Sequence, residues 1–541
     1  MRKNETFLWY DLETFGLNSR YDRIAQFACV RTDLNLNIIE EPTLLYCKLS
    51  SDYLPDPLAV LVTGITPQLV NEKGVNESQF IGKINDILSV PGTCSVGYNT
   101  LRFDDEFIRF SLFRNFLDPY KREYDKGNSR WDILDLVRAS HDLRPEGINW
   151  LKNPETNRPS FKLTDITKAN SIANENAHDA LNDVYATLEV ARLIKRVQPK
   201  LFDYYLRLRS KQVAKSMLQV PMGEPVLLTA APFTTSDGCS AVVLPITASA
   251  QNPNTIIVFD LMADVDPLIN ASNTFNQLLN IRNNESSLLE VASSIKKALE
   301  TKEEIEKTLN SAYEVTQKVA KLLAQLPQLI SAHDQLLSIR GVHQVAINRA
   351  PFISPLSVVT DELSLQLGID LKRCFENKER LEASPLLPVN IRRAFDEQKF
   401  PDADDVEQSL YSGSFFSDAD AALFKKIRET SVAQLWQQRF EFEDQRAHEL
   451  LWRYLCRNWE ENLDEKQKSR YHSFCANRLL QPPGKSLVNL YFYARKIEEK
   501  LKSKETSAFD KETLIKLRQY GQSLCEKIGL TYPLPRRENR A

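Results

Sequence analysis

The sequence lacks three features that would each place it in a particular class of protein. No run in its 541 residues approaches the roughly 20 apolar residues that a bilayer-spanning helix requires. The eight cysteines lie far apart, without a C-x-x-C pair or a Cys/His cluster of zinc spacing. The opening stretch MRKNETFLWYDLETFG turns acidic after four apolar residues, which is not typical of a secretory leader. We therefore expect a cytoplasmic protein without a membrane association, whose thiols are reduced and mostly buried.

An excess of positive charge is also absent from the chain as a whole. Lys and Arg number 69 against 72 Asp and Glu, a net charge of −3, which argues against an obligate nucleic-acid binder. The charge is unevenly distributed, because residues 421–541 hold 24 basic and 16 acidic residues while residues 1–420 hold 45 and 56. An acidic body could bind metal through carboxylates while a basic C-terminal part offers a surface to a polyanion.

The length predicts several domains, and the periodicity changes along the chain. Residues 1–199 form an α/β domain with a mixed sheet, with strands predicted at FLWYDLET, IAQFACVRT, TLLYCKL and TCSVGYN and helices at ESQFIGKINDILS, DDEFIRFSLFRNF, RWDILDLVRAS and HDALNDVYATLEVARLIKRV. Residues 200–355 contain short β-rich segments, which favour a small barrel. Residues 356–541 have helical periodicity, which predicts an all-α domain with Trp436, Trp452 and Trp459 as core candidates.

A long helical segment over about 284–336 interrupts the barrel domain. Counting heptads from Leu288, ten of the twelve a and d positions up to Leu326 are apolar, which predicts an amphipathic helix or helical hairpin. Such an insertion either packs on its own domain or binds a partner as a coiled coil.

The segment FLWYDLETFG is the most informative part of the sequence. An apolar strand leads to Asp11 and Glu13, and their i, i+2 spacing places both carboxylates on one face of that strand. Two carboxylates so close repel each other unless a divalent cation lies between them, which predicts Mg²⁺ or Mn²⁺. The pair is a weak signal alone, since an acid-x-acid pattern is expected roughly ten times by chance in such a chain.

Two further segments carry acidic or imidazole groups at helix starts. Asp104 follows a predicted strand and opens a helix in GYNTLRFDDEF, with Asp105 as a competitor for the same role. His178 precedes the helix that contains Asp183 in AHDALNDVYATLEVARL. Each residue taken alone is also explained as a helix cap, a favourable charge at a helix N-terminus or a surface residue.

Taken together, Asp11-x-Glu13-Thr14, Asn99-x4-Asp104 and His178-x4-Asp183 resemble the three motifs of the DEDD superfamily of 3′→5′ exonucleases, in its histidine-containing branch. The likeness extends over most of the chain, except the 284–336 segment, to bacterial members that digest single-stranded DNA. It implies a ribonuclease H-like exonuclease domain, an SH3-like barrel domain and a helical C-terminal domain. It also implies two Mg²⁺ ions, or Mn²⁺, held by Asp11, Glu13, Asp104 and Asp183, with His178 taking the proton from the attacking water and Asp104 preferred over Asp105.

The same resemblance implies a set of residues that hold the DNA strand. Glu13, Thr14 and Phe15 would contact the terminal nucleotide, with Phe15 stacking on its base. Further along the chain, the candidates for holding single-stranded DNA are Arg109, Tyr120, Tyr124, Arg138 and Lys162. Lys162 stands where the family commonly has Arg, so it keeps the charge but lacks the bidentate fork. The alternative for each is an ordinary surface or domain-seam residue.

The resemblance implies a monomeric, processive exonuclease that releases 5′-mononucleotides from the 3′ end of single-stranded DNA in repair and recombination. It further implies docking of the acidic tail of single-stranded DNA-binding protein, with Arg144 as a contributor. The basic stretches FKKIR, ARKIEEKLKSK and PRRENR line a DNA channel in this interpretation, or are solvated helix faces otherwise. Two other hypotheses are an RNA-trimming or proofreading exonuclease and a non-catalytic nucleic-acid-binding scaffold.

Overall fold

A computed structural model of the protein describes residues 5–173, 179–283, 331, 333–397, 403–484 and 486–533. His178 lies outside these residues, as does the predicted 284–336 insertion apart from residues 331 and 333–336. Two five-stranded sheets and a C-terminal group of helices account for most of the described chain.

The first sheet is mixed, as the sequence predicts, and has the strand order β3-β2-β1-β4-β5. Strand β1 pairs with β2 in antiparallel and with β4 in parallel register, and β5 extends the parallel half. The strands are β1 (Thr6–Thr14), β2 (Ile24–Thr32), β3 (Thr43–Tyr46), β4 (Thr93–Gly97) and β5 (Ser129–Asp132).

Central strand β1 is covered on both faces, and its alternation decides which side chains meet which helices. Phe7 and Trp9 belong to the larger core shared with helix α7 (Ala180–Val197). Leu8 and Leu12 point the other way, into a core shared with helix α4 (Asp104–Arg114). Since side chains along a strand alternate with period two, Asp11 and Glu13 lie on the face of Phe7 and Trp9, beneath α7.

Helices surround the first sheet and continue into the connection to the second. The remaining ones are α1 (Pro57–Thr63), α2 (Pro67–Lys73), α3 (Glu77–Leu88), α5 (Leu134–Leu143), α6 (Leu163–Ala169), α8 (Pro199–Leu208) and α9 (Lys211–Met217). The predicted helix RWDILDLVRAS is wrong in its first three residues, which belong to strand β5. Parallel pairing of Trp131 with Val96 of β4 explains this difference, because tertiary pairing overrides local helical periodicity.

The second sheet is entirely antiparallel, with the order β10-β6-β7-β8-β9. Its strands are β6 (Val226–Thr229), β7 (Ser240–Ala248), β8 (Thr255–Asp260), β9 (Val342–Ala346) and β10 (Phe352–Pro355). The accompanying helices are α10 (Asp266–Asn283), α11 (Asp361–Leu367), α12 (Leu371–Glu382) and α13 (Leu387–Glu397). The core under this sheet continues into that of the first domain, so the two sheets share one apolar interior.

The regular structure in the described residues between 403 and 533 is helical, and the predicted all-α domain of residues 356–541 begins earlier, so that it also includes α11 to α13. The helices are α14 (Asp418–Glu429), α15 (Val432–Leu435), α16 (Arg446–Asn458), α17 (Glu465–Leu480), α18 (Leu490–Lys502) and α19 (Ala508–Ile528), preceded by a 3₁₀ segment (Val406–Tyr411). Trp436, Trp452 and Trp459 are partly buried and pack against the cores of this region. Of the basic stretches, FKKIR lies on α14 and ARKIEEKLKSK extends along α18, whereas PRRENR falls outside the described residues.

A buried group of ion pairs joins the first domain to the C-terminal helices. Arg457 donates to Asp52 at 2.7 Å and to Glu407 at 2.6 Å, and all three side chains are at most 3% exposed. Arg23, the residue before strand β2, also contacts Glu407, at 3.2 Å. Burial alone would raise the pKa of Asp52 and Glu407, but the surrounding guanidinium groups hold both pKa values well below their usual range. We call this group the Asp52–Glu407 seam.

All eight cysteines are buried free thiols, which confirms the sequence-based expectation. Among the helices that the structure describes, none has both the length and the apolar character needed to cross a bilayer.

Candidate active site

Three carboxylates converge where β1 ends beneath α7. One ligand atom from each of Asp11, Glu13 and Asp183 can be chosen so that all three lie within 4.8 Å of one another. Asp11 and Glu13 come together because they share one face of the strand, and Asp183 reaches them from the first turns of the helix that covers this face. The structure therefore brings Asp183 next to two acids that lie far from it in the sequence, which is the grouping that the resemblance implies.

Contacts at the start of α7 hold Asp183 over the strand. Asp179 caps the helix by accepting hydrogen bonds from the backbone N–H groups of Leu181 and Asn182, at 3.1 and 3.3 Å. The side-chain oxygen of Gln26 accepts a hydrogen bond of 3.2 Å from the backbone N–H of Ala180. Because Gln26 lies directly opposite Glu13 in the β1–β2 ladder, this bond ties the helix start to the strand position that carries the carboxylate.

Asp104 approaches from the other side, at the first position of α4. Its Oδ1 accepts a hydrogen bond of 3.0 Å from the backbone N–H of Leu12, between the two acids of β1. The preceding loop is held by Asp132, which accepts from the backbone N–H groups of Asn99 and Leu101 at 2.9 and 3.1 Å. Asn99 itself lies in the left-handed region with φ of 67°. The end of β5 therefore shapes the loop that delivers Asp104.

The adjacent Asp105 has a different environment and cannot replace Asp104 in the carboxylate group. It is fully buried and accepts from Arg122 at 2.7 Å, from Arg130 at 2.6 Å and from the hydroxyl of Tyr10 at 2.8 Å. Burial would raise its pKa, but the two guanidinium groups hold the pKa of Asp105 well below its usual range. Asp105 is an internal counter-ion, whereas Asp104 is the acid of this pair that accepts a hydrogen bond from the backbone of β1.

Asp11, Glu13 and Asp104 have raised pKa values, because their carboxylates are buried close to other negative charges. Burial, together with the negative charges of Asp11 and Asp183, raises the pKa of Glu13 from 4.5 to about 9. Burial and then the neighbouring Asp104 and Asp183 raise the pKa of Asp11 well above its usual range. The pKa of Asp104 is raised as well, mainly by burial. Each shift expresses mainly the free-energy cost of ionising a buried carboxylate, to which neighbouring negative charges add.

The donor set suits a hard divalent cation. Carboxylate oxygens are the ligands that Mg²⁺ and Mn²⁺ prefer, and a cation would remove the repulsion that raises these pKa values. In the described part of the chain, this is the one group of three or more Asp, Glu, His or Cys side chains with the spacing of a metal site. The residues present therefore fit a divalent metal.

Comparisons with known proteins assign the chain to a family. Three family models match in succession: Exonuclease over residues 8–191, Exonuclease I SH3-like domain over 209–297 and 330–397, and Exonuclease I C-terminal domain over 404–524. Exodeoxyribonuclease I of Haemophilus influenzae is 38% identical over 480 residues, which are 88% of this chain and 92% of that protein. The chain belongs to the exodeoxyribonuclease I family. It is thus an exodeoxyribonuclease, and the predicted 3′→5′ activity on single-stranded DNA is confirmed.

Solved structures of exodeoxyribonuclease I relatives agree with this assignment over nearly the whole chain. Exonuclease I of Methylocaldum szegediense superposes with a TM-score of 0.80 at 37% identity, covering 96% of this chain and all of that one. Exonuclease I of Escherichia coli in complex with a dA16 oligonucleotide gives 0.79 at 34% identity, with the same coverage. The predicted succession of exonuclease, SH3-like and helical domains is confirmed, and membership implies dependence on a divalent metal. The SH3-like match omits residues 298–329, which lie within the predicted insertion.

The two predicted contacts next to the carboxylates differ in their surroundings. Thr14 lies at the end of β1, where its hydroxyl donates to the carbonyl oxygen of Gly16 at 2.7 Å. Phe15 is fully buried in a core with Tyr21 and Tyr53, and its backbone carbonyl accepts from the Tyr53 hydroxyl at 3.1 Å. The prediction that the Phe15 ring stacks on a DNA base is therefore wrong, because the ring is part of the apolar interior.

Three of the other predicted DNA contacts lie around the second turn of α4. The Arg109 guanidinium makes a bidentate pair with Glu123, at 2.8 and 2.9 Å, and a further bond with Glu106. It also lies 5.3 Å from the ring centroid of Tyr120. Tyr124 is 67% exposed. Arg109 thus already has carboxylate partners, while Tyr124 presents a ring that a base can reach.

The remaining predicted contacts are spread over the surface of the exonuclease domain. Arg138 is largely buried and donates to Asp135 at 2.5 Å, but its Nε has no hydrogen-bond partner. Lys162 is exposed at the residue before α6. Arg144 is exposed at the end of α5 and donates to the carbonyl of Leu143. These placements leave Lys162 and Arg144 accessible to a partner.

Sequence reasoning missed Gln26 and Asp132, which hold the two helices that carry Asp183 and Asp104. Neither residue has a motif of its own, because each acts through hydrogen bonds to backbone N–H groups far along the chain. The one available signal for Asp132 is its position just before a helix, where Asp commonly satisfies free N–H groups.

Proposed function

We propose that the chain is a processive 3′→5′ exonuclease that hydrolyses single-stranded DNA to 5′-mononucleotides with two Mg²⁺ ions. Asp11, Glu13 and Asp183 hold the metal, and Asp104 contributes from α4. The convergence of three carboxylates within 4.8 Å carries this proposal, because such a group is costly unless it binds a cation. When bound, the metal ions polarise the phosphate and stabilise the charge that develops on the leaving oxygen.

The protein's own groups supply orientation and proton transfer. His178 directly precedes the helix-capping Asp179 in the sequence, and its imidazole takes the proton from the attacking water, a role for which histidine is the usual general base. Leu12 orients Asp104 through its backbone N–H, and Gln26 fixes the start of α7, so the carboxylates keep their positions when a strand enters. Thr14 contacts the terminal nucleotide from the end of β1.

The strand that leads to the carboxylates is held by groups on the exonuclease domain. Tyr120 and Tyr124 stack on bases, and Arg109, Arg138 and Lys162 face the phosphates. The basic surplus of residues 421–541 contributes to a channel that encloses the strand, which accounts for processive action. We further propose that the enzyme is a cytoplasmic monomer in DNA repair and recombination. Arg144 receives the acidic tail of single-stranded DNA-binding protein.

A direct test digests matched oligonucleotides labelled at the 5′ or the 3′ end. With Mg²⁺ and 5′-labelled single-stranded DNA we expect a ladder that shortens from the 3′ end, and with 3′ label immediate release of a mononucleotide. Asp11→Asn should abolish both products, with Asp118→Asn, an exposed acid in the loop after α4, as the matched control. Full activity of Asp11→Asn would refute the metal site. Faster digestion of a matched RNA would favour the RNA-trimming hypothesis.

A further inference from the structure

Three successive acids in the first turn of α4 point to three different parts of the molecule. Asp104 accepts a hydrogen bond from the backbone of Leu12, between Asp11 and Glu13 of β1. Asp105 pairs with Arg122 and Arg130 inside the exonuclease domain. Glu106 points outward, where it is 14% exposed. Neighbouring side chains on a helix are rotated by about 100°, so one turn can contact all three regions.

Glu106 accepts hydrogen bonds from both of the other domains. Its Oε1 accepts from Nη2 of Arg349, in the loop between β9 and β10 of the SH3-like domain, at 2.9 Å. Its Oε2 accepts from the hydroxyl of Tyr411, at the end of the C-terminal 3₁₀ segment, at 2.7 Å. Arg109, one turn further along α4, completes the group at 2.9 Å from Oε1. We call these residues the Glu106 junction.

Both outer segments that reach Glu106 are held firmly themselves. In the SH3-like domain, the carbonyl of Asn348 accepts from Arg130 at 3.1 Å, and that of Ala350 accepts from Tyr205 at 2.7 Å. In the C-terminal domain, the ring of Tyr411 packs edge-on against Phe110 of α4, with centroids 5.6 Å apart. A shift of either domain relative to the exonuclease domain would therefore pull on the first turn of α4.

We propose that Glu106 is a positioning residue, through which seating of the SH3-like and C-terminal domains sets the orientation of Asp104. Glu106 lies two positions after Asp104 on one continuous helix, so a rotation at Glu106 is transmitted to Asp104. The hydrogen bond from Leu12 to Asp104 is the part of the site that such a rotation strains first. Hydrolysis is then fast only while both outer domains are in place around the strand. This inference rests on the proposed function, since it assigns Asp104 to the metal.

The test compares variants of the full-length protein that break the junction with variants that break other interdomain bonds. Arg349→Met and Tyr411→Phe each remove one bond to Glu106 at a partly exposed position. Tyr411→Phe also removes a 3.2 Å bond that its hydroxyl accepts from Arg109, but Arg109 keeps its bonds to Glu123 and Glu106. The controls are Ser240→Ala, which loses a 2.6 Å bond to Asp142, and Lys527→Met, which loses a 2.9 Å bond to Ser51. Arg349→Lys is the rescue variant, because only one nitrogen of Arg349 contacts Glu106.

Three measurements separate positioning from ordinary domain packing. Single-turnover hydrolysis of saturating single-stranded DNA should slow by about 10-fold in the junction variants, within the 100-fold that a misplacement of about 1 Å can cost. Calorimetric titration with Mn²⁺ in the absence of DNA should show weaker binding. Affinity for single-stranded DNA in EDTA should stay within about twofold of the parent, since no DNA contact is removed. The controls should match the parent in all three, and Arg349→Lys should recover most of the loss.

Unchanged Mn²⁺ affinity and unchanged single-turnover rates in both junction variants would overturn the proposal, as would an equal loss in the controls. If the parent protein bound Mn²⁺ but did not shorten DNA, the proposed function would fail instead. The Mn²⁺ titration would still show whether the Glu106 junction affects metal binding by the carboxylates.

Discussion

The backbone N–H of Leu12 donates a 3.0 Å hydrogen bond to Oδ1 of Asp104, which joins β1 to the first residue of α4. Leu12 stands between Asp11 and Glu13, so one bond fixes the position of a carboxylate from a separate helix relative to both acids of the strand. The neighbouring Asp105 makes no such bond and instead neutralises Arg122 and Arg130. Two adjacent aspartates therefore have separable effects on activity and on stability.

We expect Asp104→Asn to lower the hydrolysis rate by more than about 100-fold, because even indirect partners of metal ligands commonly cost 10- to 100-fold. Its stability should be equal to or above that of the parent, since a carboxylate with a raised pKa is removed. Asp105→Asn should instead lose about 3–5 kcal/mol of unfolding free energy, because two buried guanidinium groups lose their counter-ion. Urea unfolding and a single-turnover assay on both variants check these outcomes, and equal destabilisation of the two would contradict them.

Metal removal should make the stability of the protein depend on pH. The folded pKa of Glu13 is about 9 against 4.5 when unfolded, so the folded state binds the proton more tightly. The contribution of Glu13 to stability in EDTA is then largest below about pH 4.5, and it is lost as the pH rises toward 9. Mg²⁺ should reduce this loss of stability with rising pH, because it compensates the charges of the ionised carboxylates.

Differential scanning fluorimetry between pH 5 and pH 9, with EDTA or with Mg²⁺, measures this effect. Glu13→Gln should reduce the slope in EDTA, and a melting temperature that rises with pH in EDTA would contradict the assignment. The difference in melting temperature between EDTA and Mg²⁺ should grow with pH by about 1 °C for each kcal/mol of stability, because the unfolding entropy of so long a chain is large.

Two aromatic residues offer contrasting substitutions near the path of the strand. Phe15→Ala should cost about 3–5 kcal/mol of stability, because it empties a fully buried site. Tyr124→Ala should leave stability unchanged and weaken binding of single-stranded DNA by about 1–3 kcal/mol, the contribution of one stacked base. Tyr491→Ala, at a ring that is 62% exposed in the C-terminal domain, is the control. Fluorescence anisotropy in EDTA measures the affinity, and equal losses for the two tyrosines would argue against specific stacking.

The Asp52–Glu407 seam should control whether the C-terminal domain stays attached. Arg457→Ala leaves Asp52 and Glu407 short of a buried cation, so we expect a loss of about 3–5 kcal/mol. Arg495→Ala breaks an exposed pair with Glu499 on α18 and should cost less than about 1 kcal/mol. Limited proteolysis should release the C-terminal region early in the first variant only.

The seam also predicts an acid limit for the intact assembly. Both Asp52 and Glu407 have folded pKa values well below those of the unfolded chain. Their stabilisation is therefore present above about pH 4.5 and is lost as the pH falls through the range below pH 4. Small-angle scattering between about pH 2 and pH 6 should detect expansion at the acid end, because the stabilisation is lost progressively toward the lowered folded pKa values, and a shape that is unchanged at about pH 2 would contradict this.

Local periodicity was sufficient to predict the parts of the site that depend on one element. Alternation along β1 predicts that Asp11 and Glu13 share a face, whereas the grouping of Asp183 with them follows only from the resemblance of the three motifs to the exonuclease superfamily. The choice between Asp104 and Asp105 needs Arg122 and Arg130, whose positions depend on how the chain folds back. His178 and its role remain a prediction, because the residue lies outside the described part of the chain.

Long-range packing explains the predictions that were wrong. Phe15 adjoins the carboxylates in sequence, but Tyr21 and Tyr53 enclose its ring in the interior. Residues Arg130 to Asp132 are predicted to begin a helix, but they belong to strand β5 because they pair with β4. In both cases, a partner distant in sequence overrides the local signal.

The order of the three acids at the start of α4 constrains how this region can change. Each residue turns the helix by about 100°. Inserting or deleting one residue at this point would therefore move each acid into the position that its neighbour now holds. A deletion would place Glu106 against the buried guanidinium groups of Arg122 and Arg130, and an insertion would leave the position of Asp104 without an acid. Within the first turn of α4 the frame is therefore fixed.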